Sequence, residues 1–347
     1  MAYYSLPLVE KKQETTDCHT LSFEVPHGLR ALFSWRAGQY VRVRLHLAGK
    51  DHRRCFSISS LPEGKLLSIT VKSNGTGQVS DYLNSEAKVG QRFDLSLPQG
   101  MFNVNTQVDA TKHYLLFAAG SGITPLYAIA LSVLTHEPHS QVSLLYGSRD
   151  QQHTIFYRAL TELQQRFENR LSVRHCFTEK GLFGASPWRK GRVDAEAIQS
   201  FLSVEHDNIA EKEYYICGPG DFNFFTKQTL TELSVSPAQI FEEHFGLRPA
   251  PQQFIKGETA TLELDAEGRI QSVPVNPKQT LLEAIKAHNI EVPHLCEAGV
   301  CGACACQLVS GEVKMLNNIA LSQQEIEQGQ VLACQSVARS PAIKIKF

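Results

Sequence analysis

Net charge is nearly absent from this sequence: 34 Lys and Arg stand against 35 Asp and Glu in 347 residues, leaving −1. A surface without a basic excess lacks the attraction on which bulk nucleic-acid binding rests. A secretory leader is not expected either, because "MAYYSLPLVEKKQ" has no basic start followed by an apolar run. The expectation is a cytoplasmic protein whose nine cysteines serve metal or redox chemistry rather than disulfides. Internal repeats and low-complexity tracts are also missing, which argues against a repeat architecture. What is present, 42% hydrophobic and 20% charged residues, describes a soluble globular protein of two or three domains.

One stretch lacks charge altogether. "YLLFAAGSGITPLYAIALSVLT", from Tyr114 to Thr135, is long enough to span a bilayer. Gly120, Ser121, Gly122 and Pro125 would break a continuous helix, so no membrane span is expected. "YLLFAA" reads as a buried strand, "GSGIT" as a turn, and "PLYAIALSVL" as a helix with Pro125 at its first position. Strand, glycine turn and helix in that order form a phosphate-binding geometry.

Three regions differ in pattern. Residues 1–105 alternate in short runs ("HTLSFEVP", "QYVRVRLHLA", "LLSITVKS", "QRFDLSLPQG") between turn residues, predicting an antiparallel β-barrel or sandwich. Residues 106–246 alternate strand-like and helix-like segments, predicting an α/β domain with a parallel sheet. "LRPAPQQ", residues 247–253, reads as a linker. Residues 254–347 form a third unit, with strand-like "ATLELDA", helix-like "TLLEAIKAHN" and a cysteine-rich loop.

That loop, "HLCEAGVCGACACQL", holds Cys296, Cys301, Cys304 and Cys306. A structural zinc site would want a second close Cys or His pair, and only the single Cys334 follows. Cys296-x4-Cys301-x2-Cys304, then 29 residues and Cys334, is the spacing of a plant-type [2Fe–2S] site. Ala298, Gly299, Val300, Gly302 and Ala303 are small enough to let backbone amides approach the sulfurs. Cys306 is the spare, read as a buried neighbour of the cluster. With "TLLEAIKAHNIEVPHLCEAGVCGACACQLVSGEVKM" and "LSQQEIEQGQVLACQS", most of residues 255–347 resembles a plant-type ferredoxin domain, which implies the β-grasp fold.

The first two regions carry further motifs. "RRCFSISS" contains Arg54, Cys55, Phe56 and Ser57, preceded by "AGQYV" and followed by "ITVK" and "GQVS". In that order they resemble the flavin motifs of the ferredoxin–NADP reductase superfamily, with Phe56 where a Tyr is usual. The resemblance implies FAD, held by Arg54, Cys55, Phe56, Ser57, Ile69, Val71, Lys72, Gly77, Gln78, Val79 and Ser80. Ser57 would lie near flavin N5, and Gly77 to Ser80 would open a helix onto the pyrophosphate. FMN is the variant used by some relatives. "GSGITP" departs from the G-x-G-x-x-G fingerprint because Pro125 takes the third glycine position. It resembles instead the superfamily's nucleotide turn, implying Gly120, Gly122, Thr124 and Pro125 at the dinucleotide. "YICGPGDF" supplies Cys217, Gly218 and Pro219, and the resemblance puts Cys217 at the nicotinamide, as a positioning group. "FEEHFG" aligns Glu243 and Phe245 with a flavin-side pair. Ser57, Cys217 and Glu243 are thus the expected catalytic residues.

The donor turns on charge. "YGSRD" offers Ser148 and Arg149, "RHCFTEK" offers Arg174, Thr178 and Lys180, and no acid directly ends the "LLYG" strand to hold a ribose. Arg can hold a phosphate through paired hydrogen bonds, which favours NADPH, with NADH as the alternative. Together the modules predict an oxidoreductase that takes two electrons from NADPH, separates them at FAD, and sends them singly through the [2Fe–2S] cluster to an oxygenase or another electron-accepting protein. The chain resembles the reductase components of the multicomponent phenylacetyl-CoA epoxidases. The alternatives are an NADH-dependent reductase of a ring-hydroxylating oxygenase, desaturase or hybrid-cluster protein, an iron–sulfur sensor, and a bare flavin or ferric reductase.

Overall fold

A computed structural model of the chain describes residues 2–47, 49–73, 75, 78–179, 188–205, 209–245, 257–266, 268–294, 297, 299, 302–318, 320–321 and 323–347. The expected linker, 247–253, lies outside them. The chain divides into two compact units, residues 1–243 and 244–347.

The first unit holds two sheets. Strands β1 (Tyr3–Thr15), β2 (Cys18–Glu24), β3 (Tyr40–Leu47), β4 (Lys50–Ser57) and β5 (Leu66–Lys72), helix α1 (Gln78–Ser85) and strand β6 (Arg92–Ser96) make the N-terminal domain. Its sheet runs in the order β4-β3-β6-β1-β2-β5. An antiparallel bridge from Ile58 to Ile69 brings the end of β4 to β5, at the other margin of that order. The alternating patterns send Leu6, Leu8, Leu21, Phe23, Val41, Val43 and Leu95 inward, all fully buried. Each such side chain contributes roughly 1.5–3 kcal/mol. β1 had no place among the sequence-predicted strands. Its outer half, "VEKKQET", is polar on both faces and pairs with β2 through two register shifts, so it carries no clean alternation.

The second sheet follows as β7 (His113–Ala119), α2 (Ile123–His136), β8 (Gln141–Ser148), α3 (Tyr157–Arg166), β9 (Leu171–Phe177), β10 (Arg189–Lys190), α4 (Ala195–Val204), β11 (Lys212–Gly218), α5 (Gly220–Glu232) and β12 (Ile240–His244). The order is β10-β9-β8-β7-β11-β12, and β7 pairs in parallel with both β8 and β11. Its central strand is a continuous apolar run because both faces are covered. Helix α2 is buried nearly all round, which accounts for the uncharged stretch that mimics a membrane span. It begins at Ile123, so Pro125 is its third residue and not its first. The glycines form a 3₁₀ turn, Gly120–Gly122, that runs straight into the helix and starts it two residues early.

The second unit comprises β13 (Ala260–Ala266), β14 (Arg269–Val275), α6 (Leu281–Ala287), β15 (Ala305–Ser310), β16 (Val313–Met315), α7 (Gln323–Glu327), β17 (Gln330–Leu332), β18 (Ser336–Ala338) and β19 (Ala342–Lys346). The main sheet, β14-β13-β19-β15-β17, is mixed, with β13 and β19 parallel at its centre. α6 starts with a reciprocal cap between Thr280 and Glu283 and packs Leu281, Leu282 and Ile285 into the core.

Candidate active site

The order of the parallel sheet fixes where ligands enter. β8 lies on one side of β7 and β11 on the other, so the crevice beyond the end of β7 is a topological switch point. The glycine turn sits there. Gly120 has φ 55°, and nothing lies within 4 Å of where a Cβ would stand, so its backbone faces open space. Tyr146, on β8, donates from Oη to the Gly120 carbonyl at 3.0 Å and steadies the turn. Gly122 is the opposite case, since a Cβ there would come 2.0 Å from the Cys217 carbonyl oxygen. The two loops therefore touch backbone to backbone. Gly122→Ala is expected to cost at least about 3 kcal/mol, lowering the melting temperature of the first unit by roughly 10 °C. Gly120→Ala should cost only about 1 kcal/mol, the left-handed penalty alone. Thermal unfolding of both variants checks the contrast. Thr124 is buried and donates from Oγ1 to the Ser121 carbonyl at 3.1 Å.

Three expected residues meet at the rim of this crevice. Ser57 ends β4, Cys217 lies near the end of β11, and Glu243 lies on β12. Ser57 Oγ donates to Glu243 Oε2 at 3.2 Å across 186 positions of sequence, with both groups buried. Asn223, on α5, donates from Nδ2 to the Glu243 carbonyl at 2.6 Å and anchors that strand. Burial pushes the Glu243 carboxyl up to about 8, against a smaller opposing pull from the Ser57 hydrogen bond. Burial first, and the neighbouring Glu243 second, push the Cys217 thiol well above its ordinary range. At neutral pH Glu243 thus holds a proton, and Cys217 is a thiol suited to shaping a contact rather than to nucleophilic attack. Gly218 packs under the Phe222 ring, which stands 2.4 Å from a Cβ built there, and Pro219 leads into α5. Phe245 follows β12 half-buried.

On the barrel side, Arg54 is exposed on β4, with Nη1 donating to the Arg53 carbonyl at 2.8 Å. Phe56 is half-buried against the barrel core, and Cys55 beside it is half-buried too. Ile69 and Val71 are fully buried core residues, so any part they play at a ligand is through the backbone. Lys72 Nζ lies 3.6 Å from Asp17 Oδ2. Gly77 is outside the described residues. α1 starts at Gln78, with Val79 buried and Ser80 half-buried in its first turn. Asp81 ties down the preceding segment through Ser73 Oγ and the Gly75 amide. An exposed guanidinium, a helix start and a buried carboxyl–hydroxyl pair fit a phosphate-bearing flavin.

At the end of β8, Arg149 is exposed and Asp150 is buried. Arg174 Nε donates to Glu205 Oε1 at 3.3 Å. The Thr178 amide donates to the Ser148 carbonyl at 3.1 Å. Lys180 is outside the described residues.

In the second unit, Cys304 immediately precedes β15, and Cys334 lies in the turn between β17 and β18. The Ala333 amide donates to the Cys304 carbonyl at 3.1 Å, which brings the two cysteines to one place, and both are buried. Gly299 (φ 77°) and Gly302 (φ 69°) take left-handed conformations in the loop before them. A Cβ at Gly299 would meet the Asn317 carbonyl at 2.9 Å. A thiol that follows a glycine-turned loop, Cys304, beside a second from the β17–β18 turn, Cys334, fits an iron–sulfur cluster; Cys296 and Cys301 are outside the described residues. Cys306 is buried on β15, its Sγ 3.7 Å from the Val331 carbonyl, as a spare core residue would be.

Residues 5–104 match the oxidoreductase FAD-binding domain family, residues 116–228 the oxidoreductase NAD-binding domain family, and residues 264–339 the 2Fe-2S iron-sulfur cluster binding domain family. One component of the 1,2-phenylacetyl-CoA epoxidase of Escherichia coli (strain K12) is 31% identical over 351 residues, covering 99% of this chain and 98% of that one. The ferredoxin reductase component of the 3-ketosteroid-9-alpha-monooxygenase of Mycobacterium tuberculosis is 34% identical over 360 residues, 99% and 95% of the two chains. Among solved structures, phthalate dioxygenase reductase matches the fold with a TM-score of 0.62 and 22% identity over 99% of this chain and 98% of that one. The chain belongs to the family of oxygenase reductase components that join FAD-binding, NAD-binding and 2Fe-2S domains, and it is an electron-transfer oxidoreductase.

Proposed function

We propose that this reductase takes its electrons from NADPH at the crevice beyond β7 and delivers them singly to an oxygenase component. The observation that carries the reading is the convergence of Ser57, Cys217 and Glu243, three separately encoded groups, on one buried point at the switch point of the sheet. Bound FAD would supply the exchange between a hydride and single electrons, and a [2Fe–2S] cluster the one-electron outlet. The chain's own residues do the rest. Arg54 and the first turn of α1 offer a guanidinium and backbone amides to phosphates. Glu243 holds a proton within hydrogen-bond reach of Ser57 Oγ, and Cys217, small and buried, shapes the floor on which a nicotinamide ring would lie. Cys296, Cys301, Cys304 and Cys334 would hold the cluster.

NADPH is favoured because Arg149 is a cation exposed at the end of β8, while Asp150 next to it is buried and turned away from a ribose. The relatives serve oxygenases of different substrates, a phenylacetyl-CoA and a 3-ketosteroid, so the substrate of this system is a property of its partner. The setting is the cytoplasm; among the described residues no helix is long and apolar enough to cross a membrane. Steady-state reduction of cytochrome c by the holoprotein tests the donor. NADPH is expected to give a higher kcat/KM than NADH, and Arg149→Ala to lower the NADPH value alone by about 10- to 100-fold. An equal or better NADH value in the wild type overturns the assignment.

A further inference from the structure

We infer that His153 is a positioning residue for nucleotide recognition: held by Asp150, it aims the Arg149 guanidinium at the 2′-phosphate of NADPH. The inference rests on the reading that NADPH is the donor. Asp150 lies two residues past β8 and is buried. Its Oδ1 accepts from the His153 amide at 3.0 Å and from the ring Nδ1 at 2.8 Å. Burial alone would raise the Asp150 carboxyl, but the ring and amide hydrogen bonds from His153 outweigh it and hold the group below the usual carboxylate range. An ionised carboxylate only accepts, so Nδ1 carries the ring proton. Arg149 Nη1 lies 3.3 Å from Nε2, and because a guanidinium can only donate, Nε2 is the acceptor of this contact. The chain of contacts therefore runs from acid to imidazole to guanidinium with every donor and acceptor matched.

The backbone beneath is fixed. The Glu179 amide donates to the Arg149 carbonyl at 2.8 Å, Thr154 Oγ1 to the Asp150 carbonyl at 2.6 Å, and Ser148 Oγ lies 2.7 Å from Thr154 Oγ1. What remains loose is the long Arg149 side chain, and His153 restrains it. The order of the groups matters. A carboxylate set directly on Arg149 would cancel its charge. An imidazole between the two transmits orientation and leaves the positive charge for an anion, and among the described residues the guanidinium meets no carboxylate. Position and charge together suit a phosphate monoester dianion at the ribose.

The test uses the holoprotein with FAD and cluster in place. Binding of adenosine 2′,5′-bisphosphate and of 5′-AMP, which differ only in the 2′-phosphate, is measured by calorimetry for wild type, His153→Ala, His153→Gln, Arg149→Ala and the Arg149→Ala/His153→Ala double variant. KM and kcat are measured with NADPH and NADH. His153→Ala is expected to weaken the bisphosphate and raise KM for NADPH about fivefold, with kcat, 5′-AMP and NADH within about twofold of wild type. His153→Gln, whose amide oxygen can accept from Arg149, should recover most of the loss, and the double variant should be no weaker than Arg149→Ala. If Arg149→Ala loses the bisphosphate while His153→Ala does not, the positioning role is wrong and the NADPH reading stands. Equal weakening of both nucleotides by His153→Ala marks general loop damage and also overturns the role. A wild type that binds the bisphosphate no tighter than 5′-AMP overturns the NADPH reading itself.

Discussion

A Cys334→Ser variant is expected to lose the visible absorption of a [2Fe–2S] cluster and at least about 100-fold of its electron delivery to an oxygenase partner, with NADPH still bleaching the flavin at a rate within about twofold of wild type. A serine hydroxyl is a poor substitute for a thiolate at iron, and the frame around Cys334 is fixed by the sheet. Ala305 of β15 faces Leu332 of β17 in the ladder, and the next residues outward, Cys304 and Ala333, are joined by a backbone hydrogen bond. Cys334 is therefore presented by a three-residue turn pinned at both ends by β17 and β18. Cys306→Ser provides the internal control. That cysteine is buried on β15 beside the Val331 carbonyl, and its replacement should leave the cluster in place. Paramagnetic resonance of the dithionite-reduced proteins reads the cluster directly, and a full-strength signal from Cys334→Ser would remove that residue from the ligand set. The first unit is a separate compact body, so the flavin reaction should not follow the cluster's loss.

The parts of this molecule that were legible in the sequence are those whose signal is local. Cysteine spacing is one, because a loop wrapped on a cluster must place its thiols within a few residues of each other, and the 2Fe-2S domain that the spacing announced is the family matched by residues 264–339. The parallel sheet is another: after His113, β7 is a continuous apolar run, Tyr114 to Ala119, because both its faces are covered. Local reading failed where one element blends into the next. Pro125 marks a helix start on average, yet the glycine turn already had helical curvature and advanced the start to Ile123. It also passed over residues whose role is created by tertiary contact. Tyr146 looks like a strand residue, Asn223 like a polar residue in a helix, and His153 like loop filler. Their partners, the Gly120 carbonyl, the Glu243 carbonyl and the Asp150–Arg149 pair, are set by the packing. Asp150 shows the same limit from the other side. An acid near the end of a nucleotide-binding strand suggests a ribose ligand by position, and only its burial and its hydrogen bonds reveal that it faces its own loop.

The pH dependence of stability in the first unit should change sharply with Glu243→Gln. An unfolded glutamate titrates near 4.5, whereas the buried Glu243 carboxyl is pushed up to about 8. Below the lower value both states are protonated, and burying the neutral acid costs nothing further. Between the two values the unfolded chain releases its proton while the folded chain keeps it, so each pH unit removes about 1.4 kcal/mol of stability. Wild-type apoprotein should thus lose roughly 5 kcal/mol from this one group as pH rises from below 4.5 to 8. Above the folded value both states are ionised and the contribution is flat. Glutamine is close in shape, can keep a hydrogen bond to Ser57 Oγ, and has no proton to lose. Urea unfolding of both apoproteins at pH 5 and pH 8 should therefore give curves that diverge, the variant gaining on the wild type toward pH 8; parallel curves would mean that Glu243 is ionised in the folded chain. The same substitution separates holding a proton from merely filling space. In the holoprotein it should leave KM for NADPH near the wild-type value and lower kcat by about 100-fold, the contribution of a positioned acid–base group. A kcat that survives would leave Glu243 as a packing residue that keeps Ser57 in place and has no part in moving its proton.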